Sequence, residues 1–204
     1  YGKDFVIQYD AQGRYVRHFG GRGNGAEHLL NAHGICLDLR DQTKPSLVVS
    51  SRQQNAFKRY NLEGNYLGTI ALPGAWVCRP VIRGDYLYAA VLQSESRQGQ
   101  QSGFVTILDK QNKVVSNIAG SVPTYDETGL QEMYQTVKVF QYPHDVCVDD
   151  EGNLYVAQWN SGKPILTNLN LYHEKMLPGS VGSFGGFACH VPEYVSTRPA
   201  LYSI

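Results

Sequence analysis

The sequence predicts an all-β fold of the β-propeller class, and three observations predict it. The chain of 204 residues carries 14 Tyr, 21 Gly and nine Pro, a composition that suits many short half-buried strands joined by tight turns. A hairpin-like stretch, YDAQGRYVRHFG from residue 9, returns as YNLEGNYLGTIA from residue 60 and more loosely as LDKQNKVVSNIA from residue 108. A second motif, AHGICLD at 32–38, returns as PHDVCVD at 143–149. Spacings of about 40 to 50 residues between copies are the mark of propeller blades.

Taken in order, residues 5–20 read as two outer strands, since YGKDFVIQY alternates and DAQG supplies a turn. The glycine-rich GGRGNG that follows precedes a blade and no helix, so it reads as a link between blades and not as a phosphate loop. Residues 33–71 and 77–119 read as blades, with Arg83-Gly84-Asp85 as a tight turn inside the second. The segment 121–139 is too long for a blade connection and is expected to be an insertion on a rim, with one helical turn around TGLQEMYQ. A further blade spans 143–172, and 173–204 is an ambiguous tail. The whole is expected to be a single propeller domain over 1–204 that holds about four blades and is incomplete, because blades need neighbours to bury their faces.

Composition excludes several classes of function. Eighteen basic against eighteen acidic residues leave zero formal charge, so no electrostatic footprint for nucleic acid is present. No run of about 18 apolar residues exists to span a bilayer, and the first residues read as a strand and not as a signal peptide. Cysteines at 36, 78, 147 and 189 form no C-x-x-C pair. Cys36 and Cys147 occupy matching strand positions and are expected to be buried free thiols with no disulfide between them.

The pattern P-H-[GD]-[IV]-x-[VL]-D, a turn with Gly-Asn, then Leu-Tyr-Val-Ala resembles the NHL repeat, a blade motif of six-bladed propellers. Over roughly residues 1–160 the order of features is similar to that of the peptidyl-hydroxyglycine α-amidating lyases and of bacterial secreted NHL-repeat proteins. The resemblance implies a zinc ion bound by three histidines from alternate blades, of which His33 and His144 match two. It places the third about two blades before Tyr1. Arg52 is similar to an arginine of the lyase site, with Ser51 standing where that family has an aspartate. Tyr1 corresponds to a catalytic tyrosine, and Tyr142 stands where the lyases carry a methionine. The implied location is secreted or periplasmic.

In a six-bladed ring, positions two blades apart differ by about a third of a turn, so three such positions surround one axis. The recurrence of His33 and His144 at one motif position leaves two roles open for them, a metal or a cap on the channel mouth that bonds to backbone or water. Asp38 and Asp149, which follow first strands, are expected to accept turn N–H groups. Two functions are expected in turn. One is a module that binds a peptide, small molecule or protein at its channel face, with or without zinc there. The other is a zinc-dependent carbon–nitrogen lyase in which Arg52 holds a substrate carboxylate and Tyr1 removes a proton. A lactone or sugar hydrolase would need carboxylate and Asn metal ligands, which the pattern does not place.

Overall fold

The computed structural model describes residues 4–160. Two complete four-stranded antiparallel blades lie at its centre. The first consists of β3 (Ala32–Asp38), β4 (Ser46–Ser51), β5 (Ala56–Tyr60) and β6 (Tyr66–Ala71), in that spatial order. The second consists of β7 (Ala75–Arg83), β8 (Tyr86–Ser94), β9 (Phe104–Leu108) and β10 (Val114–Ile118). Before them stands the pair β1 (Phe5–Tyr9) and β2 (Tyr15–Gly20). After them come a two-residue hairpin, β11 (Tyr125–Asp126) with β12 (Gly129–Leu130), and the pair β13 (Pro143–Val148) and β14 (Leu154–Gln158). This is the all-β, partial-propeller architecture the repeats predict.

One turn chemistry makes four of these hairpins. Asp10 Oδ1 accepts the amides of Gln12 and Arg14, Asn61 Oδ1 those of Glu63 and Asn65, and Asp109 Oδ1 those of Gln111 and Lys113. Asp149 closes the β13–β14 turn through the amide of Asn153. The fourth loop residue always has positive φ, +76° at Gly13, +83° at Gly64, +62° at Asn112 and +88° at Gly152. Glycine adopts that region freely and asparagine tolerates it, so LDKQNKVV makes the same turn without glycine. Asp149 therefore plays the expected role.

Packing between blades follows from strand alternation. Along β8, Leu87, Ala89 and Val91 face a core shared with Val48, Phe57 and Leu72 of the blade before. Tyr88 and Ala90 face the other way, against Val139, Phe140 and Val146. A third, smaller core joins Val6 and Phe19 to Leu29, Val49 and Tyr60. Each sheet is thus buried only by its neighbours.

The glycine-rich link does connect two blades. Gly20 turns there with φ +78°, and a Cβ on it would meet Leu29 Cδ1 at 2.6 Å. Residues 128–135 differ from expectation. They start with the β11–β12 hairpin and not with a helical turn, because Asp126 Oδ1 accepts the amide of Thr128 and Gly129 sits at φ +112°, which no helix admits. Cys147 also differs, being exposed where a buried thiol is expected. It points outward because β13 carries Val146 inward and Cys147 on the opposite face. Cys36, Cys78 and Cys147 are free thiols. The tail 173–204 and the end of the expected 143–172 blade lie outside the described residues.

Asp38 plays the expected turn role, its Oδ1 accepting the Arg40 amide at 3.0 Å, and makes a further contact beyond it. Its carboxylate takes Arg40 Nε at 2.9 Å and Nη2 at 2.8 Å, and Arg40 reaches on to the carbonyl of Asp109 and to Asn112 Oδ1 in the next blade. Burial pushes the Asp38 carboxyl up, but the Arg40 hydrogen bonds more than offset this and hold it below its ordinary value. Both side chains are almost fully buried, at 3% and 7% exposure, so removing one partner strands a charge. Arg40→Met is expected to cost about 3 kcal/mol of stability, read as a lowered urea midpoint. A variant with an unchanged midpoint would show that the clamp does not hold the two blades together.

Candidate functional site

Three inner strands, β3, β7 and β13, come together at one end of the described structure, with β7 packed between the other two. Each of them breaks register near its start. The irregularities fall between Ala32 and Ile35 on β3, between Val77 and Pro80 on β7, and between Pro143 and Asp145 on β13. A bulge inserts a residue and re-aims side chains. The residues inside these three breaks include His33, Cys78 and His144.

Their side chains meet. His33 Nε2 and His144 Nε2 are 3.1 Å apart, with the rings nearly edge to face at 74°. The Cys78 Sγ lies with these imidazoles in a set of donor atoms all within 4.8 Å of one another. Arg52 opens a short 3-10 turn, Arg52–Gln54, after β4. It is only 7% exposed. Its Nη2 donates to Cys78 Sγ at 3.0 Å and its Nε to the Val77 carbonyl at 3.4 Å. Among the described residues no carboxylate pairs with it. Ser51, its chain neighbour, turns its hydroxyl to Gln54 Oε1 and to the Leu30 carbonyl and not to Arg52.

A cavity of about 300 Å³ opens here, lined by Asn31, His33, Arg52, Leu92, His144 and Trp159. Tyr142 packs its ring against Trp159 at 5.8 Å, so its bulk shapes that wall indirectly. A larger depression of about 1030 Å³ runs along the outer strands past Ile70 and Tyr125. Its charges, Arg59 and Lys113 against Glu95 and Glu132, balance, and neither His33 nor His144 enters it. The chemistry is concentrated in the smaller cavity.

Burial and the local field both disfavour protonation of the two imidazoles. Burial, the Arg52 charge and the facing His144 pull His33 down to about 3, and burial with Arg52 lowers His144 in the same direction. The gap between the two nitrogens can therefore hold a shared N–H or a metal ion, for which neutral imidazole is the competent form. Burial pushes the Cys78 thiol up to about 11, against the pull of Arg52. A second ion pair, Arg79 with Asp145 at 3.1 Å, ties β7 to β13 beside the site.

Of the residues singled out in the sequence, His33, His144 and Arg52 thus line one cavity, and Tyr1 lies outside the described residues. Cys78 was missed as a member of the cluster. The signal for it is the bridging motif VCR at 77–79, which occupies in the middle blade the place that AHG and PHD occupy in its neighbours.

The unfolded chain protonates its histidines near 6.5, whereas folded His33 resists protonation to about 3. The folded state then binds fewer protons between those values, so stability present above pH 6.5 is lost as pH falls toward 3. The metal-free protein is expected to show a lower urea midpoint at about pH 5 than at about pH 7, and His33→Gln is expected to flatten the difference. Equal pH dependence in the two proteins would contradict this assignment.

The described blades agree with what comparison with known families finds. A family model described as a 6-bladed beta-propeller matches residues 3–163. No curated protein matches the chain. With most of its length covered by that model, the chain belongs to the 6-bladed beta-propeller family.

Proposed function

We propose that this chain is a ligand-binding propeller whose channel-side cavity takes a carboxylate-bearing ligand on Arg52, beside a zinc ion held by His33 and His144. The observation that carries the reading is the buried guanidinium of Arg52, which lines the cavity without a carboxylate partner among the described residues. An enclosed charge without a counter-ion is costly. An incoming carboxylate offsets that cost and accepts from the guanidinium fork. Leu92 and Trp159 add apolar wall. A terminal carboxylate on an amide or apolar body, such as a peptide C-terminus or an N-acyl amino acid, suits this lining.

Zinc fits the imidazole pair. Two nitrogens bound tetrahedrally at roughly 2.0–2.1 Å stand about 3.3 Å apart, close to the 3.1 Å between His33 and His144 Nε2. A bound zinc would supply Lewis-acid polarisation of a ligand oxygen. The protein itself supplies neutral imidazoles and a fixed cation.

The same residues favour a second reading, the zinc-dependent peptidyl-hydroxyglycine lyase suggested by the NHL-type motifs, in an extracytoplasmic setting. There Arg52 would hold the substrate carboxylate while the carbinolamide C–N bond breaks. The amide nitrogen takes a proton, the hydroxyl loses one, and glyoxylate leaves.

Calorimetric titration of N-acetylglycine into the zinc-loaded chain separates these ideas. Arg52→Gln is expected to weaken binding at least about tenfold, the loss of one charge-assisted bond pair. An unchanged affinity in that variant would sink the carboxylate reading. Release of glyoxylate from α-hydroxyhippurate above the uncatalysed rate would favour the lyase, and none above it the binding module.

A further inference from the structure

We propose that Cys78 is the third protein donor of the metal site, so that this chain builds a two-nitrogen, one-sulfur centre from His33, His144 and Cys78. The inference rests on the zinc reading above and deepens it. It replaces an upstream histidine with a residue from the blade that lies between the two imidazoles.

Three independent features point to it. The first is topological. β7 lies between β3 and β13, and all three strands break register at the residues in question, Ala32/Ile35, Val77/Pro80 and Pro143/Asp145. Had β7 run in unbroken register, alternation alone would decide where Cys78 points. The bulge instead leaves its sulfur close to the imidazoles of the neighbouring strands.

The second feature is distance. The donor atoms of the three residues lie within 4.8 Å of one another. A tetrahedral zinc with nitrogen at about 2.0 Å and sulfur at about 2.3 Å needs nitrogen–sulfur separations of about 3.5 Å. Closing the largest gap thus takes a shift of little more than about 1 Å, within reach of side-chain adjustment.

The third feature is the surroundings of the sulfur. Cys78 is fully buried, and its backbone carbonyl is held by the Ser50 hydroxyl, which fixes the segment. Its Sγ accepts from the Arg52 Nη2 at 3.0 Å and from the Leu92 backbone amide, and donates to the Pro143 carbonyl at 3.8 Å. A thiolate bound to a metal would keep the Arg52 contact, since guanidinium donors commonly support anionic ligands. Arg52 would then touch both the ligand carboxylate and the metal's sulfur donor. Three protein donors leave one of four positions for that ligand. Sulfur also narrows the metal class to soft or borderline ions, Zn(II) or Cu(I), over Mg(II), Ca(II) or Mn(II).

Cobalt(II) added to the metal-free full chain tests the proposal, because a thiolate donor gives a near-ultraviolet charge-transfer band that imidazole and carboxylate do not. The expected result is such a band in the parent chain, absent in Cys78→Ser and retained in Cys147→Ser, the exposed thiol. Cys78→Ser is also expected to weaken zinc binding by about 100-fold or more, since loss of outer partners alone costs about 10–100-fold. Cys78→His, which keeps a third donor without sulfur, is expected to bind zinc and cobalt with no such band, and so guards against a serine variant that fails to fold. Cobalt bound through His33 and His144 with no thiolate band would overturn the role of Cys78 and leave the imidazole pair standing. A band that survives in Cys78→Ser would do the same. A chain that binds neither metal would overturn both readings.

Discussion

The site exists because three neighbouring inner strands each lose register at their first residues. A regular strand sends alternate side chains to its two faces, and in this protein both faces of each complete blade are occupied by the cores it shares with neighbours. A bulge re-aims a side chain out of that alternation. The breaks at His33, Cys78 and His144 do this three times over. What the blades supply is three adjacent inner strands, and what the bulges supply is direction.

Electrostatics then decide what those positions can hold. Arg52 is enclosed beside the imidazoles, and burial together with its charge makes both harder to protonate. Two cationic histidines at 3.1 Å would repel each other and the guanidinium. Neutral, they offer lone pairs. An anionic ligand would offset the positive charge of Arg52 and that of a metal held by the imidazoles alike, so binding of the anion and the metal would be mutually favourable. The Asp38–Arg40 clamp solves the opposite problem farther out, where a buried pair satisfies itself and bridges two blades.

Much of this was legible in the residues, for physical reasons that differ by element. The hairpins could be read because their turn needs an acceptor at its first position and a positive-φ residue at its fourth, which leaves D-x-x-G, N-x-x-G and D-x-x-N on the page. The pairing of His33 with His144 could be read because both occupy one place in a repeated motif. Cys78 could not be read the same way, since the middle blade shares the position without sharing the residue type. The helix formers of TGLQEMYQ predict a helical turn, but one Asp–Thr turn with Gly129 at positive φ outweighs them and makes the β11–β12 hairpin. The outward face of Cys147 was hidden by its resemblance in sequence to Cys36, which is half-buried.

The account stands or falls on whether the imidazoles of His33 and His144 converge on one metal ion. Anomalous diffraction at the zinc edge from crystals of the zinc-loaded full chain would measure this directly. The account predicts a strong peak between the two Nε2 atoms, within about 2.0–2.1 Å of each. A protein that takes up zinc with its peak elsewhere, and with the two histidines bonded only to each other, would contradict it.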